Sequence, residues 1–261
     1  MSIFNEHSGF ARPFSGLARA ACSGAVLVAL ALLGAGCSGG LKGGDNANLV
    51  KGKQAFVAKC GSCHTLARAN TKGNVGPNLD EAFRTSISEG GGRGTVRSVV
   101  EGQVEHPNKY GVMPSGLASG QTLRDIAEYV AESAARTGKD TGLLATAVEA
   151  PGSGKPAVEK GGKLSIEASP SGQLAYVSSK ATGTAGPVTI EMPNMSGVSH
   201  NIAIEEGEHG ATAAGTAIAK SEFVTKGTAK LTATLKPGTY TFFCEAPGHR
   251  AAGMYGTLVV K

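Results

Sequence analysis

The chain has 261 residues, which is long for one compact domain and favours two. Hydrophobic residues make up 41% of it and aromatic residues 5%, with no tryptophan, which suffices for two modest cores and excludes a fibrous or disordered class. The formal net charge of +5 is small and dispersed, which excludes a nucleic-acid-binding class.

The first 36 residues have the pattern of an export signal. Two arginines precede an almost wholly apolar stretch, AACSGAVLVALALLGAG, at residues 20–36. A basic start followed by a hydrophobic core is typical of a secretory signal. Residues 1–36 are therefore predicted to be a signal peptide and the protein to be exported.

The export signal ends in small residues directly before Cys37. This arrangement resembles the processing site of a bacterial lipoprotein, which implies that Cys37 becomes the lipidated N-terminus. Residues 37–47 would then be the lipid anchor and tether, at the outer face of the cytoplasmic membrane or facing the periplasm. The alternative is a retained membrane helix, because the apolar run lies at the short end of a spanning segment.

The next periodic segment ends in the motif CGSCH. Apolar residues recur at helical spacing from Asn48 onward, which predicts a helix leading into the motif. Cys60 and Cys63 are spaced so that their thiols can add across the two vinyl groups of haem, and His64 is then placed to bind the iron. A redox dithiol and half of a zinc site are the alternatives, and the chain offers no second cysteine pair to complete four-thiolate zinc.

Two later segments, GNVGPNLD and KYGVMPSG, follow the haem motif in the order of a class I c-type cytochrome, and residues 48–136 resemble that family. The resemblance implies a small all-α domain in which a carbonyl at Pro77 orients the imidazole of His64. It also implies that Met113, which precedes a proline, is the second axial ligand. A thioether there fits an electron carrier, because it fills the sixth position of the iron. His106 is the rival for that position.

The segment SGQTLRDIAEYVAESA predicts an amphipathic helix that closes this domain and packs against the first helix. Residues 137–162 then mix Gly, Pro, Lys and small residues without periodicity and predict a flexible interdomain linker. Residues 163–261 contain seven short strand-like runs separated by turn residues, which predict an all-β, Greek-key β-sandwich. The runs are KLSIEA, QLAYVSS, PVTIEM, HNIAIE, AKLTATL, GTYTFFCE and GMYGTLVVK.

The last strands of the predicted sandwich frame a candidate copper site. Cys244, His249 and Met254 follow one another at C-x4-H-x4-M, and His200 opens an earlier strand. A thiolate, two imidazoles and a weak thioether are the ligand set of a type 1 (blue) copper. A buried, unligated thiol is the alternative for Cys244.

The region that holds these residues resembles the plastocyanin and azurin family of cupredoxins. In that family the first histidine commonly precedes an asparagine, a position that Asn201 fills, and the other three ligands share one C-terminal loop. The resemblance implies that Asn201 bonds near the copper loop and holds it in place. Met192 and Met195 are predicted to be packing residues, and His209 a solvated turn residue.

Six histidines are too few for the further metal centres of a copper oxidase or a copper nitrite reductase, and no nucleophilic triad or phosphate-binding loop is evident. The sequence therefore predicts a non-enzymatic, membrane-tethered electron carrier with one haem c and one copper, which exchange electrons within the chain. The expected partners, by analogy, are a quinol-oxidising complex and a terminal oxidase or reductase. A copper-binding lipoprotein and an accessory subunit of a terminal oxidase or reductase are the alternatives.

Overall fold

Four helices precede a β-sandwich in the computed structural model, which describes residues 46–211 and 215–261. The predicted signal peptide and Cys37 lie outside the described residues. The helical part also contains a short hairpin, β1–β2. Its elements are α1 (Leu49–Lys59), β1 (Thr65–Leu66), β2 (Thr71–Lys72), α2 (Leu79–Ser88), α3 (Arg93–Glu105) and α4 (Gly120–Ser133).

Helices α1 and α4 pack tightly against each other. The side chain of Asn48 caps α1 by accepting a hydrogen bond from the amide of Lys51 at 3.0 Å, which satisfies one donor of the first turn. Gly52 lets the helices approach, because a Cβ there would collide with the backbone of Asp125. The rings of Phe56 and Tyr129 lie 6.3 Å apart in the helical core. The closing helix packs on the first one, as the apolar pattern predicts.

The described residues of the C-terminal part form nine strands and one short α-helix. They are β3 (Ala157–Val158), β4 (Lys163–Ser165), β5 (Lys180–Gly183), β6 (Gly186–Asn194), β7 (Ala203–Glu206), β8 (Ala219–Lys220), β9 (Gly227–Leu235), β10 (Gly238–Phe243), α5 (His249–Ala252) and β11 (Tyr255–Val260). One sheet has the order β3-β5-β11-β10-β7-β8 and the other β4-β6-β9. Buried side chains from both sheets form one core, so this part is a β-sandwich.

One predicted strand is wrong. The segment QLAYVSS, residues 173–179, is irregular, and the strand β5 begins directly after it. Residues 172–176 are all buried, so the segment lacks the alternation of a strand that covers one face of a core. The hydroxyl of Tyr176 instead donates to the backbone carbonyl of Asn201 at 2.9 Å.

The segment predicted as a flexible linker is bonded to both parts. Its Leu144 carbonyl accepts a hydrogen bond from the Lys53 amine in α1 at 2.7 Å. Its Glu149 carbonyl accepts one from the side chain of Gln173 at 2.9 Å, and its residues Ala157–Val158 pair with β5. The described residues of both parts consequently belong to one compact unit. Among the described residues, no helix has the length and apolarity needed to cross a membrane.

Candidate metal centres

Three of the predicted copper ligands meet at one end of the sandwich. The Nδ1 atoms of His200 and His249 lie 3.1 Å apart, and Sγ of Cys244 lies 3.9 Å from the first and 3.5 Å from the second. His200 and Cys244 are buried, and His249 is partly exposed. Two nitrogen donors and one sulfur donor therefore face a common point.

The local structure brings these residues together from three places. His200 precedes β7 and is fixed by a two-way backbone bridge to Val224, with N–O distances of 2.9 and 3.0 Å. Cys244 directly follows β10, and His249 begins α5. The amide of Met254 donates to the His249 carbonyl at 2.9 Å, while its own carbonyl accepts from the Cys244 amide at 3.1 Å. Met254 is fully buried in the same core cluster as Cys244.

The three donor atoms fit a small, borderline-soft metal ion. Bonds of about 2.0–2.3 Å from imidazole nitrogen and thiolate sulfur to such an ion place the ligand atoms of a trigonal set roughly 3.5 Å apart. The observed separations of 3.1, 3.5 and 3.9 Å bracket that value. Two histidines and one cysteine in a trigonal set with a weak axial thioether are typical of blue copper.

The electrostatics keep both imidazoles available as ligands. Burial, with a smaller contribution from His249, lowers the pKa of His200 to about 4. Burial also lowers the pKa of His249. Burial raises the pKa of the Cys244 thiol, so binding of a metal has to displace the thiol proton.

Asn201 connects the two chain segments that carry the ligands. Its side chain is fully buried. Its Oδ1 accepts a hydrogen bond from the amide of Glu245 at 2.8 Å, and its Nδ2 donates to a carboxylate oxygen of Glu245 at 2.8 Å. The residue after His200 is thus bonded twice to the residue after Cys244. That these bonds hold a copper loop in place stays a prediction from the sequence resemblance.

The sequence reasoning missed a buried ion pair behind the site. Arg250 follows His249 directly, and its Nη2 donates to Oε1 of Glu205 in β7 at 2.5 Å. The same guanidinium lies 4.2 Å from the ring centre of Phe243 and donates through Nε to the carbonyl of Gly210 at 3.0 Å. The pair ties α5 to the sheet. A charged residue next to a predicted ligand was the available signal.

The predicted haem motif, CGSCH, lies where α1 ends. Cys60 is the C-terminal cap of α1, and the amides of Cys63 and His64 both donate to its carbonyl, at 3.0 and 2.8 Å. Both thiols are unpaired. Burial raises the pKa of the Cys60 thiol to about 12. The turn presents two thiols and one imidazole to the same side of the helical domain.

A cavity of about 770 Å³ opens beside these three residues. It lies within the range of about 300–1,000 Å³ found for sites that take cofactors and small molecules. Both motif cysteines, His64 and Met113 line it, and most of its other lining is apolar, including Phe83, Leu117, Ile126 and Val130. A largely apolar cavity with two thiols, an imidazole and a thioether fits a covalently attached haem.

The imidazole of His64 is held in place by the backbone of the loop at Gly76 and Pro77. Its Nδ1 lies 2.8 Å from the carbonyl oxygen of Pro77, a bond that fixes the ring orientation and leaves Nε2 for a ligand. Gly76 makes this contact possible, since a Cβ there would lie only 2.5–2.9 Å from the imidazole ring atoms.

The two candidates for the sixth ligand differ in position. Met113 is partly buried and lines the cavity. His106 caps the end of α3, is exposed, and is not part of the described cavity lining. Of the two, the geometry favours Met113 as the predicted sixth ligand.

The two methionines that were predicted to be packing residues differ in the structure. Met192 packs in the sandwich core, whereas Met195 is 60% exposed and is not a packing residue. The amide of His209 donates to the Thr241 hydroxyl at 2.7 Å.

Part of the chain resembles known proteins. Its identity is 25% to dithionite-reduced auracyanin from the photosynthetic bacterium Roseiflexus castenholzii, over 40% of this chain and 99% of that one, with a TM-score of 0.35. The sequence identity is 29% to auracyanin A, a "blue" copper protein from the green thermophilic photosynthetic bacterium Chloroflexus aurantiacus. That match covers 38% of this chain and 98% of auracyanin A, with a TM-score of 0.33. The sequence identity to reduced rusticyanin is 22%, over 42% of this chain and 83% of rusticyanin, with a TM-score of 0.34.

A search of curated protein sequences gives no match. A family model does match, and it is that of the copper binding proteins of the plastocyanin/azurin family, over residues 164–261. The match includes every residue of the His-Cys-His cluster. Residues 164–261 are therefore a cupredoxin domain, a copper-binding domain of the plastocyanin/azurin family.

Proposed function

We propose that the protein is an exported, membrane-tethered electron carrier that holds one type 1 copper and one covalent haem c. The observation that carries the proposal is the convergence of Cys244 Sγ with the Nδ1 atoms of His200 and His249 inside a cupredoxin domain. When bound, the copper and the haem iron would each supply a one-electron couple and no open coordination position for a substrate.

The copper ligands would be His200, Cys244 and His249, with Met254 as the weak axial ligand. Their surroundings favour a site that changes little between two oxidation states. Cys244 is 1% exposed and His200 is fully buried, and the bonds of Asn201 hold the two ligand segments together. A rigid, dry ligand set limits the rearrangement that accompanies gain or loss of one electron.

Cys60 and Cys63 would attach the haem through thioether bonds, and His64 and Met113 would be its axial ligands. The bond between His64 Nδ1 and the Pro77 carbonyl supports this assignment, because it leaves Nε2 as the free donor of the ring. The apolar cavity supports it too, since a porphyrin buries a large apolar surface.

Export and tethering are proposed from the sequence pattern that ends at Cys37. The proposed partners are a quinol-oxidising complex as electron donor and a terminal oxidase or reductase as acceptor. Two redox sites in one anchored chain support that place, by analogy, between a membrane donor and an acceptor protein.

The experiment that tests the proposal is visible spectroscopy of the full chain, oxidised and reduced, with metal analysis. We expect a haem c spectrum and an intense copper–thiolate band that dithionite bleaches. The variant Cys244→Ser should lose the copper band and keep the haem spectrum, whereas Cys60→Ser with Cys63→Ser should lose covalent haem and keep the copper band. Copper-loaded protein without the thiolate band would overturn the electron-carrier assignment and favour a cuprous-binding lipoprotein.

A further inference from the structure

The haem cavity of the helical domain has one wall from outside that domain. Ser196, Gly197 and Val198 line the cavity together with His64 and Met113. These three residues belong to the cupredoxin domain, in the loop between β6 and His200. The loop that leads into the first copper ligand therefore also borders the proposed haem site.

A buried asparagine gives this loop a defined shape. Asn194, which is fully buried, donates through Nδ2 to the carbonyl of Val198 at 2.8 Å and to that of Val224 at 2.7 Å. Its Oδ1 accepts from the Ser196 amide at 3.0 Å and from the Ser196 hydroxyl at 2.7 Å. Since Val224 is also the bridge partner of His200, one side chain fixes the cavity wall relative to the copper ligand.

A second contact joins the other copper-ligand segment to the helical domain. Gly248, directly before His249, has φ +80°, and a Cβ on it would lie 2.8 Å from Oδ1 of Asn74. Asn74 precedes Gly76, which lies against the His64 ring. Only glycine combines this positive φ with so close an approach. The two loops that hold His64 and His249 in place therefore touch each other.

A third contact lies further along the same boundary. A Cβ on Gly172 would lie 2.7 Å from the carbonyl oxygen of Ala58 in α1, another residue of the cavity lining. Contacts at Gly172, Val198 and Gly248 come from three separate segments of the cupredoxin domain. The cupredoxin domain therefore meets the helical domain at three separate points along one boundary.

We propose that the metal-binding end of the cupredoxin domain forms one wall of the haem cavity, so that Val198 lies beside the haem and Asn74 beside the copper. This inference rests on the proposed function and specifies how its two sites are joined. It replaces two centres on a flexible linker with two centres in one docked unit. It also means that part of the histidine-bearing end of the copper domain is covered, while Pro247 stays exposed.

In this arrangement each domain contains a residue whose charge should change the reduction potential of the metal in the other domain. A carboxylate placed near a metal centre stabilises its oxidised state and lowers its reduction potential, and the effect fades beyond about 10 Å at 0.1 M salt. Asn74→Asp, in the helical domain, should lower the copper potential. Val198→Asp, in the cupredoxin domain, should lower the haem potential relative to Val198→Asn, which has nearly the same shape without the charge.

Two control variants carry the same charge change away from the contact. Asn46→Asp lies at the opposite end of α1 from the haem motif and should leave the copper potential unchanged. Thr234→Asp should leave the haem potential unchanged. It lies in β9 at the end of the sandwich remote from Asn194, since Asn194 pairs with Gly227 and Thr234 pairs with Pro187.

Potentials of both centres are measured by spectroelectrochemistry on the full chain loaded with haem and copper. Shifts to lower potential for Asn74→Asp at copper and for Val198→Asp at haem support the proposal. If both centres load and neither shift appears, the domains do not dock in this way and the inference is overturned. If the wild-type chain lacks the haem or the copper–thiolate spectrum, the proposed function itself has failed, which is a different result. Asn74 is exposed, so its variant tests the docking even if Val198→Asp fails to fold.

Discussion

The amide of Asn201 is bonded through both of its polar atoms to Glu245, each at 2.8 Å. One residue follows His200 and the other follows Cys244, and they lie 44 positions apart in the chain. A single buried side chain therefore joins the two chain segments that carry His200 and Cys244. Contacts of this kind orient the ligands of a metal site.

Asn201→Ala should weaken the site without removing a ligand. The substitution leaves the Glu245 amide and one carboxylate oxygen without their partner, at a cost of about 1–3 kcal/mol in the free energy of unfolding. We also expect a broader copper–thiolate band and weaker copper binding, because Cys244 is less firmly placed. Denaturant unfolding of the copper-free protein and copper titration measure the two effects.

The control for that prediction is Lys226→Ala, at an exposed position in the turn before β9. It should change the free energy of unfolding by no more than about 0.5 kcal/mol. If Asn201→Ala behaved like this control in both stability and spectrum, the two bonds to Glu245 would have no role in the site.

Gly76→Ala should displace the imidazole of His64, the proposed haem ligand. A Cβ at this position would lie 2.5 Å from Cε1 of His64, so the ring has to turn away from its bond to the Pro77 carbonyl. We expect an altered haem spectrum and a changed reduction potential. Both are read on the full chain by absorption spectroscopy and spectroelectrochemistry.

The matched control is Gly102→Ala in α3, where an added Cβ would meet no atom within 4 Å. There the substitution should stabilise the helix by about 0.5–1 kcal/mol and leave the haem spectrum as it is. Identical haem spectra in both variants would contradict the role assigned to the close approach of Gly76 and His64.

Local sequence patterns predicted two of the helices, most of the strands and the metal-ligand cluster. The helix into CGSCH, the closing helix and most of the strands were predicted from apolar periodicity, and the His-Cys-His cluster from ligand types and their order. Helices α2 and α3 were not predicted. Apolar residues do recur at helical spacing in both, for example at Val96, Val100 and Val104 in α3. The glycines at the start of α3 and before it are turn residues, and they obscured this pattern.

Contacts between distant segments could not be read from local patterns. In the sequence, Asn194 resembles an ordinary turn residue. Only the structure shows that its side chain donates to the carbonyls of both Val198 and Val224, which joins two distant segments. The same holds for the segment predicted as a flexible linker. Its Gly and Pro content describes local backbone preference, whereas its order comes from bonds to α1 and to Gln173. Tertiary contacts here override local propensity.

Arg250→Met should destabilise the cupredoxin domain by about 3–5 kcal/mol, because it leaves the Glu205 carboxylate buried without its counter-charge. Both side chains of the pair are at most 9% exposed. Replacing both partners, as Glu205→Leu with Arg250→Met, should recover part of the loss, since an apolar pair carries no buried charge. Chemical unfolding of the copper-free wild type, the single variant and the double variant measures the three free energies of unfolding.

An exposed ion pair provides the comparison. Lys230 and Glu191 lie 2.7 Å apart across β9 and β6, and the lysine side chain is 60% exposed. Lys230→Met should therefore change the free energy of unfolding by no more than about 1 kcal/mol. Equal losses for Lys230→Met and Arg250→Met would contradict the importance of the buried pair.

The helical domain should lose stability in acid through Asp140. Burial alone would raise the pKa of this carboxyl, but hydrogen bonds from Arg68, Lys53 and Tyr129 outweigh burial and lower the pKa below its ordinary value of 3.8. The folded state therefore binds the proton less readily than the unfolded state. The stabilisation is fully present above pH 3.8 and is lost as the pH falls below that value through the lower folded pKa.

Asp140→Asn should remove this dependence. The variant is expected to be less stable than the wild type at neutral pH, because the ion pairs of Lys53 and Arg68, at 3.0 and 2.8 Å, lose their anion. Its unfolding free energy should then change less with pH in the acid range. Glu132→Gln, in the exposed pair with Arg136, should keep the wild-type slope. Unfolding followed by the far-ultraviolet helical signal from neutral to acid pH measures the slopes, and parallel curves for wild type and Asp140→Asn would show that another carboxyl controls the acid transition.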